Sequence, residues 1–138
     1  VPDVAAATLQ IGEVAERVGL SLRTVRYYEE QGLVQPETRT DGGFRLYTER
    51  QIDRLLLIKQ MKPLGFSLEE MGELLAARDT LGDPGASAEA RREAAARTGA
   101  FAASAEERCA KLRRTLADGE VFAAELRAQA GAAGTGPA

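Results

Sequence analysis

Arg23, Thr24 and Tyr27 place a guanidinium, a hydroxyl and a phenol within five residues of one another, with apolar Leu22 and Val25 interleaved. These groups form directional hydrogen bonds and carry charge, and none is paired with a partner that would make it a nucleophile. At the N-terminal end of a helix they suit base edges and phosphate oxygens. Ser21, just before them, can accept an orphan backbone N–H and open that helix. Arg26 can pair with Glu29 or Glu30 across one turn, which would make it a support. Tyr28 cannot share the face of its neighbour Tyr27, so it is expected partly in the core with its hydroxyl within reach of a phosphate. Arg39, Arg45 and Tyr47 follow in a turn-rich stretch, the two arginines placed to reach a sugar-phosphate backbone beside the groove.

The elements that must hold these residues are legible from periodicity. Ile11, Val14, Ala15 and Val18 recur at helical spacing, leaving Glu13, Glu16 and Arg17 for solvent. Gly19 can take the positive φ that ends this first helix. Leu22 and Val25 supply the buried face of the second, and Gln31-Gly32 closes it. Past Pro36 the pattern becomes extended: Thr38-Arg39-Thr40 and Phe44-Arg45-Leu46 are strand-like, and Asp41-Gly42-Gly43 between them has hairpin chemistry. Two helices and a two-stranded wing make a winged helix-turn-helix, a shape that reads DNA.

The block Leu20-Ser21-Leu22-Arg23-Thr24-Val25-Arg26-Tyr27-Tyr28-Glu29, then Gly32-Leu33 and Gly43-Phe44-Arg45-Leu46-Tyr47, resembles the signature of the MerR family of bacterial transcription regulators. The resemblance continues through Ile58-Lys59 and Leu64-Gly65-Phe66-Ser67-Leu68-Glu69-Glu70-Met71, covering roughly residues 8–77. It implies a mainly α chain: a winged helix-turn-helix domain with a two-stranded β-wing, then a long helix that dimerises as an antiparallel coiled coil. It also implies a promoter that is bent and underwound so that RNA polymerase can use it. Many relatives carry an effector domain or a cysteine-rich metal loop after the dimer helix. Here only about ten residues follow it, a short form in which no dedicated small-molecule pocket is expected.

A chain of 138 residues is one small domain with an appendage. No apolar run is long enough to span a bilayer, and the first residues lack the basic start and apolar core of a secretory leader. A cytoplasmic location is expected. The formal net charge is −3, unusual for a nucleic-acid binder, but it is unevenly spread. Between Arg17 and Lys62 there are nine basic and six acidic residues, so a local basic strip is expected on an acidic chain.

Residues 1–7 read as a flexible lead-in and 8–77 as the DNA-binding domain. Within the latter, Thr48 with Gln51 and Ser67 with Glu70 form capping boxes. The apolar run Leu55-Leu56-Leu57-Ile58 is expected to form the domain's core, and Pro63 with Gly65 ends its helix. Leu68, Met71, Leu74 and Leu75 trace the next. Residues 78–86 have the breakers of a linker. Residues 87–128 read as a dimerisation helix, with nine of twelve a and d positions apolar. Its seam is expected to run through Ala102, Ala105, Cys109, Leu112, Leu116 and Leu126, with Phe122 beside it. Gly99 and Gly119 each weaken that helix by about 1 kcal/mol, which leaves open whether it is broken near Gly99. Residues 129–138 are expected to be disordered.

With no histidine and one cysteine, His-based catalysis, a His-liganded metal and an internal disulfide are all excluded. Cys109 reads as a small buried hydrophobe of the seam, with a thiol-based sensor and metal ligation as the lesser alternatives. No cofactor, metal, membrane or enzyme activity is expected. The sequence supports a homodimeric, sequence-specific regulator on a palindromic promoter site, with DNA, a second copy and RNA polymerase as partners. An architectural, excisionase-like DNA-bending protein and a non-nucleic-acid adapter using only the long helix are the alternatives.

Overall fold

A computed structural model describes residues 9–36, 38–39 and 45–134. The chain divides into two compact units, Val1–Thr98 and Gly99–Ala138. The first contains strand β1 (Leu9–Gln10), helices α1 (Ile11–Val18) and α2 (Leu22–Glu30), strands β2 (Thr38–Arg39) and β3 (Arg45–Tyr47), and helices α3 (Glu49–Met61) and α4 (Leu68–Leu81). Helix α5 (Ala88–Gly134) begins in the first unit and makes up the described part of the second.

The helix-turn-helix forms as its local signals require. Val14, Ala15 and Val18 are the buried residues of α1. Gly19 ends it at φ 72°, while the Gly19 and Leu20 amides donate to Glu16 and Ala15 at 3.3 and 3.0 Å. Ser21 caps α2, its Oγ accepting from the Thr24 amide at 3.0 Å. Burial in α2 begins at Val25 and Tyr28. Leu22, expected on the buried face, stays 36% exposed because it sits at the first helical position, a full turn before that face is covered.

The sheet is three-stranded and antiparallel, ordered β1-β3-β2. Its expected two-stranded wing pairs Thr38 with Leu46 and Arg39 with Arg45. A third strand, absent from the sequence reading, pairs Leu9 with Tyr47 and Gln10 with Leu46. Two residues carry too little alternation to announce a strand; pairing with β3 creates it. The expected Asp41-Gly42-Gly43 turn and Phe44 lie outside the described residues.

Helix α3 is the spine of the core. Thr48 and Gln51 make the expected cap, the Thr48 amide donating to Gln51 Oε1 at 3.2 Å. Ile52, Leu55, Ile58 and Met61 are buried, so one face of the apolar run enters the core while Leu56 remains 39% exposed. Four consecutive helical residues span most of a turn and cannot all face inward. After a 3₁₀ turn at Lys62–Leu64, Ser67 and Glu70 form the second capping box, with reciprocal bonds of 2.8 and 3.1 Å. Met71, Leu75 and Ala77 are the buried residues of α4.

Two boundaries differ from expectation. Helix α4 runs on through Leu81, so the break is confined to residues 82–87 instead of beginning at Arg78. Gly82 and Pro84 are the true breakers; Arg78, Asp79 and Thr80 continue the helix, Thr80 bonding back to the Ala76 carbonyl at 3.2 Å. At the other end α5 continues through Gly99 and Gly119 and on to Gly134, into the segment expected to be disordered. Alanine is the best helix former, and its abundance around each glycine outweighs the local cost.

Candidate nucleic-acid interface

The cap and first two turns of α2 expose Ser21, Arg23, Arg26 and Tyr27, while Thr24 is half-buried with its Oγ1 2.8 Å from Ser21 Oγ. Tyr27 is 44% exposed and Tyr28 only 3%, their rings 5.6 Å apart and tilted by 55°. Tyr27 therefore offers its phenol outward and Tyr28 packs inward, as adjacency on one helix demands. Neither Arg23 nor Arg26 has an ion pair among the described residues. The support foreseen for Arg26 through Glu29 or Glu30 is not formed.

Glu29 has another task. Tyr47, expected at the interface, is fully buried, and its hydroxyl donates to the Glu29 carboxylate. A side chain with no accessible surface cannot touch a duplex, so Tyr47 is corrected to an internal strut between β3 and α2. The strut spans eighteen residues of sequence, too far for any local spacing rule to reveal. Arg39 and Arg45 lie opposite one another on β2 and β3, in register on one ladder.

Other cations of the basic strip are engaged internally. Arg17 makes two bonds to Glu49, at 2.6 and 3.0 Å. Arg54 donates from Nε to the Leu33 carbonyl at 3.0 Å and from Nη1 to both Asp79 oxygens at 2.7 and 2.9 Å. Arg50 approaches Asp79 at 3.4 Å. Lys59 donates to the Val18 carbonyl at 2.7 Å. The cations left uncommitted on α2, Arg23 and Arg26, are thus on its exposed face.

In the second unit the predicted seam lies open. Leu112, Leu116, Phe122 and Leu126 are exposed, Leu116 to 63%, while Ala105 and Cys109 are half-buried and Ala102 is exposed. Val121, which the heptad register omitted, is 60% exposed as well. Among the described residues no group of three or more His, Cys, Asp or Glu could hold a metal ion. No described helix is long and apolar enough to cross a membrane.

Residues 9–78 match the MerR HTH family regulatory protein family, and residues 52–129 match the family described as MerR, DNA binding. The chain belongs to the MerR family of helix-turn-helix regulatory proteins. It is 49% identical over 69 residues to the HTH-type transcriptional regulator ZntR of Escherichia coli, covering 50% of this chain and 49% of that one. Similarity to the mercuric resistance operon regulatory protein of Bacillus cereus is 44% identity over 70 residues, 51% and 53% of the two chains. The chain thus spans about half the length of the curated relatives it matches.

Among solved structures the fold is shared with HiNmlR, a MerR family regulator lacking the sensor domain and bound to promoter DNA. That likeness has a TM-score of 0.69 at 22% identity and covers 94% of this chain and 95% of that one. PbrR691 from Ralstonia metallidurans CH34, in complex with lead(II), superposes with a TM-score of 0.54 at 28% identity, over 86% and 83% of the chains.

Proposed function

We propose that this chain is a homodimeric, sequence-specific DNA-binding transcription regulator. The observation that carries the reading is the uncommitted face of α2: Arg23, Arg26 and Tyr27 are exposed at the start of a helix whose other side is locked into the core. Arg23 and Thr24 enter the major groove and read base edges; Tyr27 lies against phosphate. Arg39 and Arg45 brace the backbone beside the groove. The apolar stripe from Leu112 to Leu126 on α5 joins two copies, and their two-fold symmetry calls for a palindromic site. The dimer then distorts the promoter so that RNA polymerase can engage it, which separates activation from binding.

The test is a pair of variants on a duplex selected by the wild-type chain from a random-sequence pool. Arg23→Ala is expected to cost about 1–3 kcal/mol and to relax preference at one base-pair position in each half-site. Arg45→Ala should weaken binding to every sequence and lower the salt slope by about 0.9. A wild-type chain that retards no duplex at low ionic strength, or that binds as a monomer, refutes the reading.

A further inference from the structure

The connection from α1 to α2 is Gly19-Leu20-Ser21, and its geometry sets the angle at which α2 leaves α1. Most of its backbone is satisfied locally: the Gly19 and Leu20 amides bond back into α1, and Ser21 receives the Thr24 amide. The carbonyl of Val18, at the negative end of α1, is met instead from another element. Lys59, forty-one residues further on in α3, places Nζ 2.7 Å from it. The approach is so close that a Cβ on Gly19 would lie 2.8 Å from Nζ, so Gly19 is needed for this contact as well as for its φ of 72°.

We propose that Lys59 is a positioning residue for DNA reading: its ammonium, held on the Val18 carbonyl, pins the α1–α2 turn to α3 and so sets the orientation in which α2 presents Arg23 and Tyr27. The inference rests on the DNA-binding reading above. Lys59 is an exposed residue, yet its ammonium is held in a part-buried bond to a single backbone acceptor, which costs it rotamer freedom. The bond is charge-assisted and lies at a helix C-terminus, where a cation is favoured twice over. Arg17 and Glu49, bonded twice at 2.6 and 3.0 Å, hold α1 to the first turn of α3 as a half-exposed pair that does not touch the turn. Lys59, in the last turn of α3, is the second anchor and the one that meets the α1–α2 turn itself.

Base readout and phosphate contact respond differently to a loosened helix. Bidentate bonds to base edges need α2 in one register, whereas phosphate contacts tolerate displacement and carry no sequence information. Loss of the anchor should therefore lower discrimination more than general affinity. A phosphate-binding lysine would show the opposite behaviour.

The experiment compares wild type, Lys59→Met, Lys59→Gln and Lys59→Arg in the full chain. Binding is measured across a salt series to the selected duplex and to an unselected duplex from the same pool. For Lys59→Met and Lys59→Gln the dissociation constant for the selected duplex is expected to rise about 5- to 30-fold, the loss of one or two kcal/mol. Affinity for the unselected duplex should hold within about two-fold and the salt slope should not change. Lys59→Arg, which can reach the same carbonyl, should restore discrimination.

Amide hydrogen exchange of the free protein gives a readout independent of DNA: the Gly19 and Leu20 amides should exchange faster in the Met and Gln variants, while those of α3 do not. A uniform loss of affinity with a salt slope lower by about 0.9 would make Lys59 a phosphate contact and overturn the proposal. So would a lower melting temperature with discrimination preserved, or no change in exchange at the turn. If the wild type retards neither duplex, the DNA-binding reading falls, and the exchange data still decide whether Lys59 holds the turn. Should Lys59→Met fail to fold, Lys59→Gln carries the same comparison.

Discussion

The two units of this chain treat their apolar residues in opposite ways. In the first, Val14, Val25, Leu55 and Ile58 are wholly removed from water. In the second, Leu112, Leu116, Val121, Phe122 and Leu126 are all close to half exposed or more, and none of the described residues from Gly99 onward is buried. A side chain of that size contributes about 1.5–3 kcal/mol only once it is covered. The first unit therefore contains the reasons for its own fold, while the second carries an unsatisfied surface on a helix rich in alanine. In the proposed function the first unit would read DNA and the open surface of the second would join two copies.

That contrast can be tested by moving the same kind of damage from one unit to the other. Leu116→Glu should have the largest effect, because the proposed dimer would carry it twice. Two lost burials amount to about 3–6 kcal/mol of association before any charge repulsion, and sedimentation should find monomers whose first unit remains folded. A persisting dimer would dismiss the seam. Leu55→Ala removes a fully buried side chain from α3 and should cost about 2–5 kcal/mol of unfolding free energy in urea. An unchanged midpoint would mean that the first unit is not self-contained.

Ser21→Ala removes the cap of α2 and should cost about 1 kcal/mol, read as a lower melting temperature with the dimer intact. Gly119→Ala should have the smallest effect and the opposite sign. Nothing lies within 4 Å of the added methyl in the single chain, so the helix should gain somewhat less than about 1 kcal/mol. A fall in melting temperature would instead locate Gly119 where the partner helix comes closest.

The features legible beforehand are those encoded within one helical turn. Gly19, Ser21, the Thr48–Gln51 pair and the Ser67–Glu70 pair each state a helix end through residues three or fewer positions apart, and each is realised in the structure. The exposure of Arg23 and Tyr27 on α2 follows from the same periodicity, whereas Thr24 is half-buried. Features that join distant segments were not legible. β1 exists through pairing with β3, Tyr47 is a strut because Glu29 lies opposite it, and Lys59 is committed to a carbonyl of α1. In each case the partner is many residues away, and the residue type alone suited a surface role equally well.

The errors at element ends have a related origin. Arg78–Leu81 and Gln129–Gly134 were assigned to linker and tail from composition, yet both are helical. Composition weighs breakers and small residues, whereas a helix already under way adds each further residue without paying again for nucleation.

The sequence by itself therefore determined the order of the helices, the ends marked by Gly19, Ser21, Thr48 and Ser67, and the face of α2 that stays exposed, because helix propensity, capping and periodicity act between neighbours along the chain. Only the tertiary structure decided which cations remain free and which become struts, because an arginine or lysine is committed by whatever acceptor the folded chain brings within about 3 Å of it.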